Sequence, residues 1–323
     1  MATRCVIAGM GSRLGSVVTP VEDIEIKFGK QAGAMRKRYG IEELHGLASN
    51  DELITMSAAA AADAMNAADL GLDEIDGLYG LNATPTAPTL LPTYVRVVGD
   101  ALGIDNVPMV TVGAGCAGGV VALETARNRI LADAEDGRKS SYLVLAGDDI
   151  SKSIGSGDWD TSVLFSSGAV AMVVTSRDRA GYAIRKIGSK VIPSRDRLYS
   201  MKLANPQVTG KPEMFSMNGG EVFDFTSHEV LPAALELMGW DKFPDYLYIV
   251  PHQASGRKSL RTMANQYGID DERIYMAGIR YGNTVAASSL MGLKDVWGQH
   301  DNVLLLGFGA DLMVAAAYLE KEF

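Results

Sequence analysis

The chain has 323 residues, 47% hydrophobic and 21% charged, with a formal net charge of −9. That composition suits a globular protein with a large core, and the negative balance excludes a general affinity for nucleic acid or anionic membrane. Two cysteines without a paired spacing exclude a disulfide framework, and the scattered His45, His228, His252 and His300 exclude a histidine metal cluster.

The N-terminus lacks a signal-peptide layout, and no uncharged apolar run reaches the roughly 18 residues that span a bilayer. The expectation is a cytoplasmic protein with no membrane segment, metal or cofactor. Short apolar runs alternate with helix-period segments, the pattern of an α/β chain. Residues 5–10 read as a strand and contain Cys5. Gly9-Met-Gly11-Ser-Arg-Leu-Gly15 then follows, one residue too long in spacing for a dinucleotide fingerprint and with no acid-bearing βαβ unit after it. A glycine-permitted turn accounts for it. Residues 50–70 read as an alanine-rich helix capped by Ser49 or Asn50.

Residues 77–81, 107–112 and 141–146 read as buried strands, with a proline-bearing loop over 84–92. Residues 164–176 form a further strand region that 182–191 continues. The polar, proline-punctuated stretch 192–217 reads as a long loop, either a lid or pocket wall or a plain surface excursion. Beyond it come a helix over 221–239, a strand over 246–250, a helix over 255–267, a strand over 273–277 and a helix over 283–297. Strands over 303–307 and 312–319 close the chain. This order repeats that of the first part. The chain therefore reads as a duplicated helix–strand unit, 1–176 followed by 177–323.

Polar groups gather where strands end, the place where open α/β sheets build sites. The segments are Gly-Ala-Gly-Cys116-Ala-Gly-Gly, Val-Pro-His252-Gln-Ala-Ser and Tyr-Gly-Asn283-Thr-Val-Ala-Ala-Ser. A thiol at a helix start feels the positive end of the helix dipole, which favours the thiolate. Imidazole and amide can hold charge around it. Each residue alone also has a plain structural role, as a small core residue, a satisfied histidine or a helix cap.

Together these segments resemble the ketosynthase III (β-ketoacyl-acyl-carrier-protein synthase III) branch of the thiolase superfamily. Met217-Asn-Gly-Gly-Glu-Val-Phe, Gly307-Phe-Gly and Arg38-Tyr-Gly-Ile extend the likeness over essentially the whole chain. The resemblance implies a thiolase-like duplicated five-layer α/β/α/β/α sandwich, usually a homodimer. The first half would carry the nucleophilic cysteine and the second the histidine and asparagine. Cys116 would hold an acyl group as a thioester, with the backbone N–H groups of Cys116 and Ala310 as oxyanion donors. His252 and Asn283 would bind the thioester carbonyl of a malonyl unit as it loses carbon dioxide. Leu90, Met217 and Phe308 would line the substrate pocket.

The absent partners sort the superfamily. A thiolase needs a second cysteine after Cys116, an elongating ketosynthase a second histidine where Asn283 stands, and a hydroxymethylglutaryl-CoA synthase a glutamate near 81–92. Plant-type chalcone synthases share the triad but have longer chains and differ around the asparagine. This chain also departs from the branch. Ala34 replaces the tryptophan that stacks on the adenine of coenzyme A, Leu44 falls near an expected arginine, and Phe-Gly-Asp-Gly-Ala reads Phe165-Ser-Ser-Gly-Ala.

These departures, with Gly309-Ala310-Asp311 in the C-terminal turn, point to specialised fatty-acid or polyketide synthesis. They also favour a carrier-protein donor over acyl-CoA. Arg257, Lys258 and Arg261, with Arg38, would bind an acidic acyl carrier protein; an ordinary solvated helix face is the other reading. The expected function is decarboxylative condensation of an acyl-Cys116 with a malonyl thioester on a carrier. Transfer of the acyl group to oxygen or nitrogen, and a catalytically silent dimer partner, are the alternatives.

Overall fold

The computed structural model describes residues 3–49, 51–83, 92–150, 159, 163–193, 201–203, 215–254 and 256–322. The chain runs β1 (Val6–Leu14), β2 (Val17–Pro20), α1 (Val21–Lys27), α2 (Ala34–Arg38), β3 (Glu43–Gly46), α3 (Glu52–Ala68) and β4 (Gly77–Leu81). It continues through α4 (Tyr94–Leu102), β5 (Met109–Thr111), α5 (Gly118–Glu135), β6 (Ser141–Asp148) and β7 (Gly168–Thr175). Next come β8 (Gly181–Val191), β9 (Met201–Leu203), β10 (Phe215–Met217), α6 (Gly219–His228), α7 (Val230–Met238) and β11 (Tyr248–Pro251). The last elements are α8 (Arg257–Asn265), α9 (Ser288–Asp295), β12 (Asn302–Phe308) and β13 (Met313–Glu322).

The main sheet has the strand order β11-β12-β13-β8-β1-β7-β6-β4-β5. From β1 outward the pairings are antiparallel to β7, antiparallel to β6, then parallel to β4 and β5. From β8 outward the same sequence recurs, with β13 and β12 antiparallel, β11 parallel, and a parallel bridge from Ile249 to Ile274. The two runs meet where Val6 and Ile7 pair with Ala183 and Tyr182.

Helices cover both faces of each run. α3 packs on β1, β7 and β6, and α4 on β4 and β5. α5 and α9 fill the middle layer: α5 touches β4, β6 and β12, and α9 touches β11, β12 and α5. α7 covers β8 and β13 on the far side, with α6 and α8 beside it. The result is the expected five-layer α/β/α/β/α sandwich. Double coverage explains why β6 and β7 are buried at every position and read as continuous apolar runs rather than alternating ones.

Several expected elements are corrected. Gly9 and Gly11 make no turn; they lie within β1, where a Cβ would come 2.2 Å from the Ala64 carbonyl oxygen and 2.1 Å from that of Ala60. The glycines let α3 sit directly on the strand. Ser49 does not cap α3, and Asn50 lies outside the described residues: Asp51 is at the N-cap, and the Glu52 carboxylate takes the Ser16 and Ala48 N–H groups at 2.7 and 2.5 Å. Residues 182–191 do not prolong β7 but form β8, which crosses to the other run.

The helix expected over 221–239 breaks at Glu229. Pro232 has no N–H to donate to the His228 carbonyl, and its ring would collide with it. Residues 273–277 form no strand. The Tyr275 N–H donates to Ile249, but its carbonyl takes the Gln253 Nε2–H group, and 277–281 curls into a 3₁₀ turn. The stretch 192–217 contains the antiparallel pair β9–β10; residues 194–200 and 204–214, and residues 84–91 of the expected loop 84–92, Leu90 among them, lie outside the described residues. No helix among the described residues is long and apolar enough to cross a membrane.

Candidate active site

Cys116 sits in a 3₁₀ turn, Gly115–Ala117, that feeds α5. Gly115 has φ +47°, and a Cβ there would lie 3.0 Å from the Ala310 Cβ. The glycine lets this turn close against the turn before β13. The N–H groups of Ala310 and of Cys116 itself favour the charged form of the sulfur.

The thiol does not have the lowered pKa expected of a helix start. Burial pushes it up to about 12; the Ala310 and Cys116 N–H groups pull down, while Asp148 and Asp311 push it further up. Desolvation of an anion outweighs the end of a helix here. The resting thiol is neutral.

His252 follows β11 and is held by its backbone N–H to the Leu306 carbonyl at 2.8 Å. The next residue is fixed too, as the Gln253 N–H donates to Ser288 Oγ at 3.2 Å. The imidazole is wholly buried, stands edge-on to the Phe308 ring at 5.4 Å, and has no hydrogen-bond partner on either nitrogen among the described residues. Burial lowers its pKa from 6.5 to about 3, so it is neutral at any working pH and offers one N–H donor.

The sign of the stability effect follows. Above pH 6.5 neither folded nor unfolded chain protonates this ring. As pH falls from 6.5 towards 3, only the unfolded chain takes up the proton, and stability is lost at about 1.4 kcal/mol per pH unit. Denaturant titrations from pH 7 to 4 should therefore give a shallower acid slope for His252→Gln by that amount. Equal slopes would mean that the ring charges freely in the fold.

Asn283 is clamped through its backbone. Its N–H donates to the Leu164 carbonyl at 2.7 Å, and its own carbonyl accepts the Ser166 N–H at 2.9 Å. Its side-chain Oδ1 accepts the Val285 N–H at 2.7 Å. An N–H can only face the amide oxygen, so Nδ2 and its two hydrogens are left to donate elsewhere. Val285 is held at φ +53°. A β-branched residue there is strained by about 1–3 kcal/mol. Four described non-glycine residues have positive φ, and Val285, Asp311 and Leu312 flank Asn283 and Ala310. The strain lies in the two turns that aim donors.

The end of β12 draws these groups together. Phe308 touches His252, and Ala310, two residues on, touches the Cys116 turn. On the other side, the Val285–Ala287 turn packs on Gly115–Ala117, and a Cβ at Gly119 would come 2.5 Å from the Ala286 carbonyl oxygen. Cys116, Phe165, Phe308, Val285 and Leu312 share one apolar cluster, with half-buried Met217 packed on it.

The basic residues also converge. The Arg257 N–H donates to the Tyr39 carbonyl at 3.1 Å, and the Arg38 guanidinium lies 5.0 Å from the Tyr39 ring. The C-terminus of α2 and the start of α8 thus present exposed Arg38, Arg257 and Lys258 on one surface. Arg261 is less available, since it pairs with Asp271 at 2.7 Å.

Asp148 was missed. Buried at the end of β6, it takes the Ala83 N–H at 2.7 Å and the Ala286 N–H at 3.3 Å, and its charge acts on the thiol. Two carboxylates closing an apolar strand, Asp148-Asp149, were the available signal. Among the described residues no three His, Cys, Asp or Glu side chains gather as a metal site.

Residues 111–190 match the family described as 3-oxoacyl-[acyl-carrier-protein (ACP)] synthase III, and residues 242–321 match its C-terminal part. Over 321 residues the chain is 30% identical to a β-ketoacyl-[acyl-carrier-protein] synthase III of Halalkalibacterium halodurans, covering 96% of each. It belongs to the β-ketoacyl-acyl-carrier-protein synthase III family. The synthase III of Dinoroseobacter shibae is 32% identical over 303 residues, 91% of this chain and 90% of its own. The solved synthase III of Thermus thermophilus superposes with a TM-score of 0.83 at 26% identity, covering 98% of this chain and 99% of that one. Membership in the synthase III family accounts for the thiolase-type layers around Cys116.

Proposed function

We propose that this chain is a condensing acyltransferase that loads an acyl group on Cys116 and joins it to a decarboxylated malonyl thioester. The observation that carries the reading is that buried Cys116, whose charged form the Ala310 and Cys116 N–H groups favour, shares a cluster with Phe308, whose ring meets buried His252 edge-on, while the turn after Asn283 packs on the Cys116 turn. In the first step the sulfur attacks the donor thioester carbonyl. The N–H groups of Cys116 and Ala310 hold the oxyanion, and the departing carrier thiolate takes the Cys116 proton.

In the second step a malonyl thioester loses carbon dioxide, and its electron pair moves onto the thioester oxygen. The His252 N–H and Asn283 Nδ2 stabilise that oxygen. A neutral imidazole that resists charging is a poor acid, so it holds the enolate without quenching its carbon. The carbon attacks the acyl group on Cys116, the same oxyanion donors act again, the carbon–sulfur bond breaks, and the thiolate takes a proton from solvent to restore the thiol. The product is a β-ketoacyl thioester. Transfer to an alcohol or amine needs no such second donor pair, and condensation is favoured over it.

Residues 1–176 and 177–323 are read as two thiolase-like halves, supported by the repeated strand order. The acyl donor is an acyl-CoA or acyl-carrier protein, and the acceptor a malonyl carrier, in specialised fatty-acid or polyketide synthesis. Free buried Cys5 and Cys116 support a cytoplasmic setting. β5 ends the main sheet with Val110 39% exposed, an edge suited to pairing with a second copy.

Intact-mass analysis tests the reading. An acyl donor should add its acyl mass, and malonyl carrier should discharge it with release of carbon dioxide; discharge to an alcohol or amine without malonyl carrier would favour the other transfer. For the carrier surface, Arg257→Glu should raise KM for carrier-bound substrate about tenfold and leave KM for the CoA thioester unchanged. Equal effects on both substrates would remove this surface from docking.

A further inference from the structure

The departure at Phe165-Ser-Ser-Gly-Ala falls on the segment that clamps Asn283. Ser166 is wholly buried, and its hydroxyl bridges two strangers in the sequence: it accepts the His45 N–H at 2.8 Å and donates to the Tyr281 carbonyl. Its own N–H donates to the Asn283 carbonyl at 2.9 Å. The turn before Asn283 has no slack, since a Cβ at Gly282 would come 2.7 Å from the Leu164 carbonyl oxygen and 3.4 Å from Ser166 Oγ.

Both anchors of the hydroxyl are themselves fixed. His45 is held by Nδ1 to the Gly15 carbonyl at 2.9 Å, by Nε2 to Glu43 at 3.2 Å, and by its own carbonyl, which accepts the Ser167 N–H at 2.6 Å. Tyr281 is held at its far end by its hydroxyl, which donates to Asp295 at 3.2 Å. A side chain without a hydroxyl at 166 leaves one buried N–H and one buried carbonyl without this partner, and both lie on segments that frame Asn283.

We propose that Ser166 is a positioning residue for the condensation step: its buried hydroxyl ties β3 to the 281–283 turn and so sets where the Asn283 amide donor points. It touches no reacting atom. The Cys116 turn rests instead on Ala310 and α5, so the hydroxyl governs decarboxylation and leaves acylation alone. The inference rests on the condensing function proposed above.

The test compares Ser166→Ala with the parent chain in two assays: acylation of Cys116 by intact mass, and carbon dioxide release from malonyl carrier. Acylation should stay within about twofold, while kcat for carbon dioxide release falls about tenfold with KM little changed, since small misplacement of a donor costs rate rather than affinity. In an Asn283→Ala chain, adding Ser166→Ala should cause no further loss, because the group it positions is gone. If Ser166→Ala does not fold, Ser166→Cys, which keeps the size and weakens the bonds, is read in the same way. Parallel loss of acylation and condensation, or a loss that persists without Asn283, overturns the inference alone. A parent chain that takes up no acyl group overturns the proposed function as well.

Discussion

Cys116→Ala takes up no acyl group from a thioester donor: the mass gain of the parent chain vanishes, and condensation falls by at least about a thousandfold. The size of the effect follows from the proposed reaction, in which Cys116 is the one nucleophile. Cys5, the other thiol, is buried in the opening strand region, and its pKa is likewise pushed up to about 12 by burial. Because the resting Cys116 thiol is neutral, its reactivity depends on donors that stabilise charge only as the substrate arrives. Cys116→Ser keeps the shape but forms its anion less readily, and should fall nearly as far. An acyl mass that persists in Cys116→Ala would place the acyl group elsewhere and end the proposed mechanism.

Asn283→Asp separates the two half-reactions. Aspartate keeps the oxygen that accepts the Val285 N–H, so the strained turn retains its partner. It replaces the amide donor with a second oxygen, which repels the enolate it should stabilise. Carbon dioxide release should fall by about 10²–10³, the usual cost of removing one such donor, with acylation close to that of the parent. Asn283→Ala should lose the same activity and some stability besides. Stopped-flow acylation and carbon dioxide release, measured on the same preparations, check both. A fast Asn283→Asp chain would show that the amide donates nothing to the reaction.

The main apolar strands were legible because burial on both faces writes itself as runs such as 141–146 and 77–81, whose cores match β6 and β4. Cys116 and His252 were legible as polar groups after strands; Asn283 was read after a strand over 273–277 that does not form, and the family likeness grouped the three. Three things were not. The thiol pKa depends on enclosure and on Asp148, which approaches from β6 and has no mark near Cys116 in the chain. The helix break at Glu229 turned on Pro232, visible in the sequence but outweighed by the apolar period around it. The role proposed for Ser166 rests on neighbours 121 and 115 positions away, His45 and Tyr281. Long-range pairings of that kind leave no local signal.

The repeated strand order places the Cys116 turn and the Asn283 turn at corresponding points. Each follows the outermost parallel pairing of its run, passes through a 3₁₀ turn, and opens a helix of the middle layer, α5 or α9. In the reaction proposed above, equivalent corners do unequal jobs: one would store the acyl group, the other would generate the carbon that collects it. On that reading the division of labour replaces two matching corners with one asymmetric site. Cutting the chain between β7 and β8 would leave a receiver without a supplier on one piece and a supplier without a receiver on the other.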